Sequence, residues 1–169
     1  FLSQAGVGFF GGVEGSEPVF YMSENGIEFA FVGYNEFGGS SPKDVANIIL
    51  YEKQAGKVVI VYAHWGDEYV DARPRLRPIA KLFASSGASV VIGAHPHVVL
   101  PSEYIGDTLV YYSLGNFIFD QYWNEDVSHG LTLLLHVSKE GYVTAEEYEI
   151  EIGRDGTICP VVSAQGGPA

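Results

Sequence analysis

The hydrophobic pattern divides the chain into two regimes. Residues 18–23 and 27–34 are apolar, β-rich runs separated by Glu24-Asn25-Gly26, and an Asn-Gly pair between two such runs predicts a hairpin because both residues accept positive φ. After a Gly-rich loop, Ser41 and Pro42 supply an N-cap and a proline at the first helical position. Val45, Ile48, Ile49 and Glu52 follow at three- and four-residue spacing, and Gly56 closes the helix. Residues 57–63 are an almost continuous apolar run, the mark of a strand covered on both faces. A polar loop over 64–73, a helix from about 75 to 86 ended by Gly87, and a second buried run over 88–92 complete a βαβ unit. From Ser102 onward, alternating strands are joined by turns at Gly106-Asp107, Lys139-Glu140-Gly141 and Arg154-Asp155-Gly156, which predicts antiparallel structure. The expectation is an α/β fold, a βαβ core followed by antiparallel strands, in a single domain over 1–169. Residues 1–6 read as the last turn of a helix with Gly6 as its left-handed cap, implying that chain precedes them, and the turn-forming composition of 163–169 predicts a loose tail.

Composition narrows the function classes. The 169 residues are 47% hydrophobic and 18% charged, within the range of one globular domain. Nine Lys+Arg against 21 Asp+Glu leave a net charge of −12, and so acidic a surface repels a phosphate backbone, which argues against general nucleic-acid binding. No apolar run approaches the ~20 residues of a membrane-spanning helix, and no charged segment followed by an apolar core marks a signal peptide in this chain. Cys159 is the single cysteine, so neither an internal disulfide nor a zinc ribbon is available. The 21 glycines are scattered rather than periodic, favouring tight turns between short strands over a helical bundle.

Strands joined by a crossover helix run parallel, so the residues leaving them emerge at one sheet edge, where open α/β sheets place ligands. The first buried strand leads into His64-Trp65-Gly66-Asp67-Glu68 and the second into Gly93-Ala94-His95-Pro96-His97. Three of the five histidines therefore converge on one rim. Pro96 is expected to hold His95 and His97 in an extended segment with both imidazoles on the same side. Neutral imidazoles from separate loops with carboxylates nearby suit a divalent ion such as Zn²⁺, Mn²⁺ or Fe, although a single histidine at a strand end is more often a hydrogen-bonded rim residue. Asp67 and Glu68 fit ligand orientation, ion binding or acid–base work, or simply a solvated loop. Arg73, Arg75, Arg77 and Lys81 lie within nine residues and fit either an anion-receiving cluster or a solvated helix face. Asn116, in Ser113-Leu114-Gly115-Asn116, fits a hydrogen bond to a ligand or to a ligand-bearing residue, or plain turn chemistry. His129 and His136 lie seven apart in a strand, on opposite faces, and are excluded.

Taken together, His64-Trp65-Gly66-Asp67-Glu68-Tyr69, Gly93-Ala94-His95-Pro96-His97 and Tyr112-Ser113-Leu114-Gly115-Asn116-Phe117 resemble the bacterial capsule-synthesis CapA family, poly-γ-glutamate synthesis proteins related to calcineurin-like metallophosphoesterases. The resemblance implies a metallophosphatase-like α/β/β/α sandwich with two divalent ions at the strand ends. It assigns His64 and His95 to one ion and His97 to the other, and places Glu68 and Asn116 within family motifs. Family members begin with a strand ending in Gly-Asp and with Asn-containing motifs that complete the two-metal centre. Those motifs do not occur in this chain, which therefore reads as the C-terminal portion of such a domain. The expected function is a CapA-like protein of capsule or poly-γ-glutamate biosynthesis with a metal-dependent phosphoesterase-type site and an anionic substrate or polymer received by Arg73, Arg75 and Arg77. The alternatives are a non-catalytic polymer-handling or scaffold subunit of an envelope synthase, and a self-contained three-histidine zinc hydrolase. An open sheet edge predicts self-association or pairing with a missing N-terminal part. The resemblance also implies an extracytoplasmic, membrane-associated parent with membrane synthase partners.

Overall fold

The hairpin forms where the Asn-Gly pair places it. In the computed structural model, which describes residues 1–11, 17–38 and 41–161, β1 (Val19–Glu24) and β2 (Ile27–Asn35) pair antiparallel, and Asn25 and Gly26 take φ of 52° and 79°. A short 3₁₀ turn over Ser3–Ala5 ends on Gly6 at φ 69°, the left-handed cap expected there. Helix α1 (Pro42–Gln54) starts on Ser41, whose hydroxyl accepts from the Asp44 amide at 3.2 Å. The second helix, α2 (Arg73–Ser85), begins two residues earlier than expected. Asp71 accepts from the Arg73 amide at 3.1 Å, and Pro74 occupies the first turn, where no amide hydrogen is needed. The tail read as loose, 163–169, lies outside the described residues.

Between and after the helices come β3 (Val58–His64), β4 (Val90–Ala94), β5 (Val99–Ile105) and β6 (Thr108–Leu114), which join the hairpin in a six-stranded sheet of order β1-β2-β3-β4-β6-β5. Strands β2, β3, β4 and β6 are mutually parallel, while β1 and β5 run antiparallel at the two edges. The three remaining strands, β7 (His129–Val137), β8 (Val143–Ile152) and β9 (Ile158–Pro160), form a separate antiparallel sheet. One departure from the expectation concerns β6. It is not a link in an antiparallel run but a central strand, buried along nearly its whole length and parallel to β4.

The period-two alternation of the strands builds two cores. Val59, Val61 and Ala63 of β3 face the helices and pack with Val45, Ile49, Leu76 and Phe83. Val58 and Ile60 face the opposite way, with Phe29, Val90 and Tyr111, against Val143 and the apolar face of the second sheet. The described residues thus stack as helices, six-stranded sheet and three-stranded sheet, a mixed α/β fold. The second sheet covers only the first part of β3. Tyr62 and His64, on the same face as Val58 and Ile60, are exposed, so the expectation of complete cover over 57–63 fails at the end nearest the loops. Among the described residues, the face that the second sheet leaves there borders a cavity of about 630 Å³ lined by Phe10, Gly11, Gly33, Tyr62 and His64, among others. No described helix is long and apolar enough to cross a membrane.

Candidate metal centre

Four parallel strands end at the same edge of the sheet, and their loops build the site. Register alone sets much of the geometry: Asn35 of β2 pairs with His64 of β3, and His64 pairs with Ala94 of β4. The segments that follow carry Glu36 and Phe37, then Asp67 and Glu68, then His95 and His97, while Asn116 follows β6. The Trp65 amide donates to the Ala94 carbonyl at 3.1 Å and the Tyr69 amide to the Pro96 carbonyl at 2.8 Å, lashing the second loop to the third.

The expected convergence of imidazoles is present. The rings of His64 and His95 lie 4.7 Å apart between centroids, and those of His95 and His97 6.0 Å apart. One nitrogen each from His95 and His97 and one carboxylate oxygen of Glu68 all lie within 4.8 Å of one another. Two imidazole nitrogens and a carboxylate oxygen at this spacing fit a borderline divalent ion such as Zn²⁺, Mn²⁺ or Fe. His64 flanks that trio on the His95 side; though its outer edge is open to solvent, partial desolvation of the ring first, then the neighbouring His95 and His97, hold its pKa below the ordinary histidine value, favouring the neutral form with a free lone pair.

The route to this convergence differs from the expected one. His95 and His97 do not sit in an extended segment: their φ angles are 102° and 62°, and Tyr69 has φ 64°. Among the described non-glycine residues only Asn25 of the hairpin shares this property. The loop after β4 must fold back to accept the Tyr69 amide through Pro96, and left-handed backbone accomplishes that turn. Such conformations cost about 1–3 kcal/mol each and persist where the surroundings over-determine them.

Asn116 is buried, 6% exposed, with Oδ1 2.7 Å from His97 Nδ1. Asp67 accepts from Arg75 Nε at 3.0 Å and is not one of the three clustered donors. Each arginine of the cluster has a carboxylate partner: Arg73 pairs with Asp71, Arg75 with Glu36 as well as Asp67, and Arg77 with Glu103. His64 lies outside the clustered trio, beside His95. His129 and His136 lie in β7, with Glu125 and Glu146 as their respective partners.

Two residues with no motif of their own join the site. Glu36 accepts from the Gly66 amide at 2.8 Å and pairs with Arg75; partial burial pushes its carboxyl up, but these hydrogen bonds outweigh it and the pKa lies below the ordinary glutamate value. Phe37 packs its ring against His95, tilted with centroids 4.5 Å apart, and edge-on against His64 at 5.9 Å. Both follow the end of a parallel strand, so extending the strand-end rule from β3 and β4 to β2 finds them.

The Arg77–Glu103 pair gives a pH signature away from the imidazoles. Hydrogen bonds from Arg77 and then from the Tyr112 hydroxyl hold the Glu103 carboxyl below its usual value. Its contribution to stability is therefore present above the unfolded glutamate value, near 4.5, and lost as pH falls through the lower folded value. Urea midpoints at pH 3 and pH 6 are expected to differ by more in the wild type than in Glu103→Gln; equal differences would remove the assignment.

Residues 2–121 match the sequence profile of the family described as "Bacterial capsule synthesis protein PGA_cap". The chain is 31% identical over 163 residues to the PGA biosynthesis protein CapA of Bacillus subtilis (strain 168), covering 88% of this chain and 42% of that protein. It is 28% identical over 165 residues to the capsule biosynthesis protein CapA of Bacillus anthracis, covering 86% and 40%. The chain thus spans about two-fifths of the length of these relatives. A crystal structure of a hypothetical protein from Thermus thermophilus shares the fold, with a TM-score of 0.61 at 17% identity over 84% of this chain and 65% of that one. With 2–121 matched and all three strand-end motifs inside that span, the chain belongs to the PGA_cap family of bacterial capsule synthesis proteins.

Proposed function

We propose that the chain carries the histidine side of a metal-dependent phosphoesterase-type site in a protein of capsule or poly-γ-glutamate biosynthesis. The observation that carries this reading is the convergence of Glu68, His95 and His97 donor atoms within 4.8 Å at the end of parallel strands, in a chain similar to two CapA proteins. Those three residues would hold a divalent ion, with His64 beside them, and the ion when bound supplies Lewis acidity toward a phosphate ester and an activated water. The chain's own part is to hold the imidazoles in place and to present a rim of aromatic rings, with Phe37 on His95 and Phe119 on His97. Envelope localisation and membrane synthase partners belong to the same reading.

One observation favours a second reading, a non-catalytic polymer-handling subunit. Arg73, Arg75 and Arg77 are each paired with a carboxylate of this chain, so none is free to clamp the charge that develops on a transferring phosphoryl group. The full-length protein assayed against a generic aryl phosphodiester with and without Mn²⁺ separates the two. Manganese-dependent turnover that disappears in His97→Ala supports the esterase reading; no turnover with metal bound supports the polymer-handling one.

A further inference from the structure

The surroundings of His97 determine where its ring proton sits. The polarity of the network can be fixed from one end, at the Val127 backbone carbonyl, which can only accept. Asn116 lies 2.9 Å from that oxygen through Nδ2, and its second Nδ2 hydrogen faces Gln121 Oε1 at 3.3 Å. Gln121 Nε2 then donates to the Tyr69 hydroxyl at 2.8 Å. Rotating either amide by 180° would set donor against donor or oxygen against oxygen, so the chain has a single self-consistent direction. Asn116 Oδ1 is left facing His97 Nδ1 at 2.7 Å. An amide oxygen cannot donate, so the hydrogen of that bond belongs to the imidazole.

We propose that Asn116, held by Gln121, Tyr69 and the Val127 carbonyl, is a positioning residue that keeps His97 in its Nδ1–H tautomer and leaves the Nε2 lone pair on the side of Glu68. His97 Nε2 lies 4.0 Å from the Glu68 carboxylate, the side on which the donor trio converges. Asn116 and Gln121 are 6% and 9% exposed, so water does not compete freely for these bonds. The backbone is fixed as well. Gly115, at φ 71°, bridges to Gly130, where a side chain would come within 1.9 Å of the Asn116 carbonyl oxygen. Tyr69 ties the network to the neighbouring loop, since it follows Glu68 directly and its own amide binds the Pro96 carbonyl. One chain of hydrogen bonds therefore sets both the lone pair of His97 and the backbone next to Glu68. The metal-affinity consequence rests on the reading of His97 as a ligand; the tautomer does not.

The test is long-range ¹⁵N–¹H correlation on the metal-free, full-length protein with ¹⁵N-histidine, the His97 signals being those lost in His97→Gln. The wild type is expected to show a protonated Nδ1 and a bare Nε2; a protonated Nε2 would overturn the proposal without any variant. Asn116→Leu is expected to shift His97 toward the Nε2–H form and to weaken Mn²⁺ binding about 10–100-fold. An unchanged tautomer or unchanged Mn²⁺ affinity in a folded Asn116→Leu protein counts against it. If the wild type binds no Mn²⁺ at all, the metal reading fails, while the tautomer spectra still decide this one.

Discussion

Replacing His95 with alanine is expected to weaken Mn²⁺ or Zn²⁺ binding by more than about 100-fold, beyond the 10–100-fold typical of losing a group that only orients a ligand. His95 is the shared neighbour of the other two imidazoles, at 4.7 Å from His64 and 6.0 Å from His97, and belongs to the trio with Glu68. Alanine removes the nitrogen while retaining the backbone preference of a residue with a Cβ, and the ring is only partly buried, so far-UV circular dichroism should be unchanged. Calorimetric titration of the full-length protein reads the loss directly. Running His64→Ala beside it separates two ligand sets. If Glu68, His95 and His97 form the set, His64→Ala costs markedly less than His95→Ala. Equal losses would instead favour the His64–His95 pairing implied by the superfamily pattern, and unchanged affinity in His95→Ala would remove the metal centre altogether.

Trp65→Ala is expected to destabilise the fold by about 3–5 kcal/mol, which for a domain of this size lowers the thermal midpoint by roughly 6–20 °C. The indole is fully buried, stacks on Phe83 and Tyr112 at 6.4 and 6.0 Å, and donates through Nε1 to the Tyr112 carbonyl at 3.0 Å. Truncation opens a cavity and takes a donor from that carbonyl together. Space for the indole is reserved by Gly93, where a Cβ would lie 2.1 Å from the Tyr112 carbonyl oxygen and 2.5 Å from Trp65 Nε1. Trp65 also follows His64 directly, so metal affinity should fall along with stability. A midpoint within about 2 °C of wild type would show that Trp65 does not anchor the loop.

Where chemistry is local, the sequence was readable. Asn25-Gly26 has a backbone preference that fits one kind of turn, Ser41-Pro42 caps a helix without outside help, and the three short turns after Ser102 all join the strands they separate. The position of β6 was not, because a strand's neighbours are chosen by the whole sheet. Even so, its apolar run Thr108-Leu109-Val110-Tyr111-Tyr112 contrasts with Pro101 and Glu103 in β5, and a proline-bearing, charged strand belongs at an edge. At the site, the strand-end rule brought His64, His95 and His97 together. It could not reveal that Arg75 and Arg77 meet Glu36 and Glu103, carboxylates far away in sequence, nor that His95 and His97 take left-handed backbone.

That left-handed backbone bears on how the protein would respond to selection for heat tolerance. Tyr69, His95 and His97 each hold a φ that asparagine or glycine adopts more readily. A screen that rewards only survival at high temperature should therefore enrich such replacements at positions 69, 95 and 97. The same clones would surrender the loop geometry or the donor atoms themselves, so thermotolerance and ion capture would pull these three positions in opposite directions.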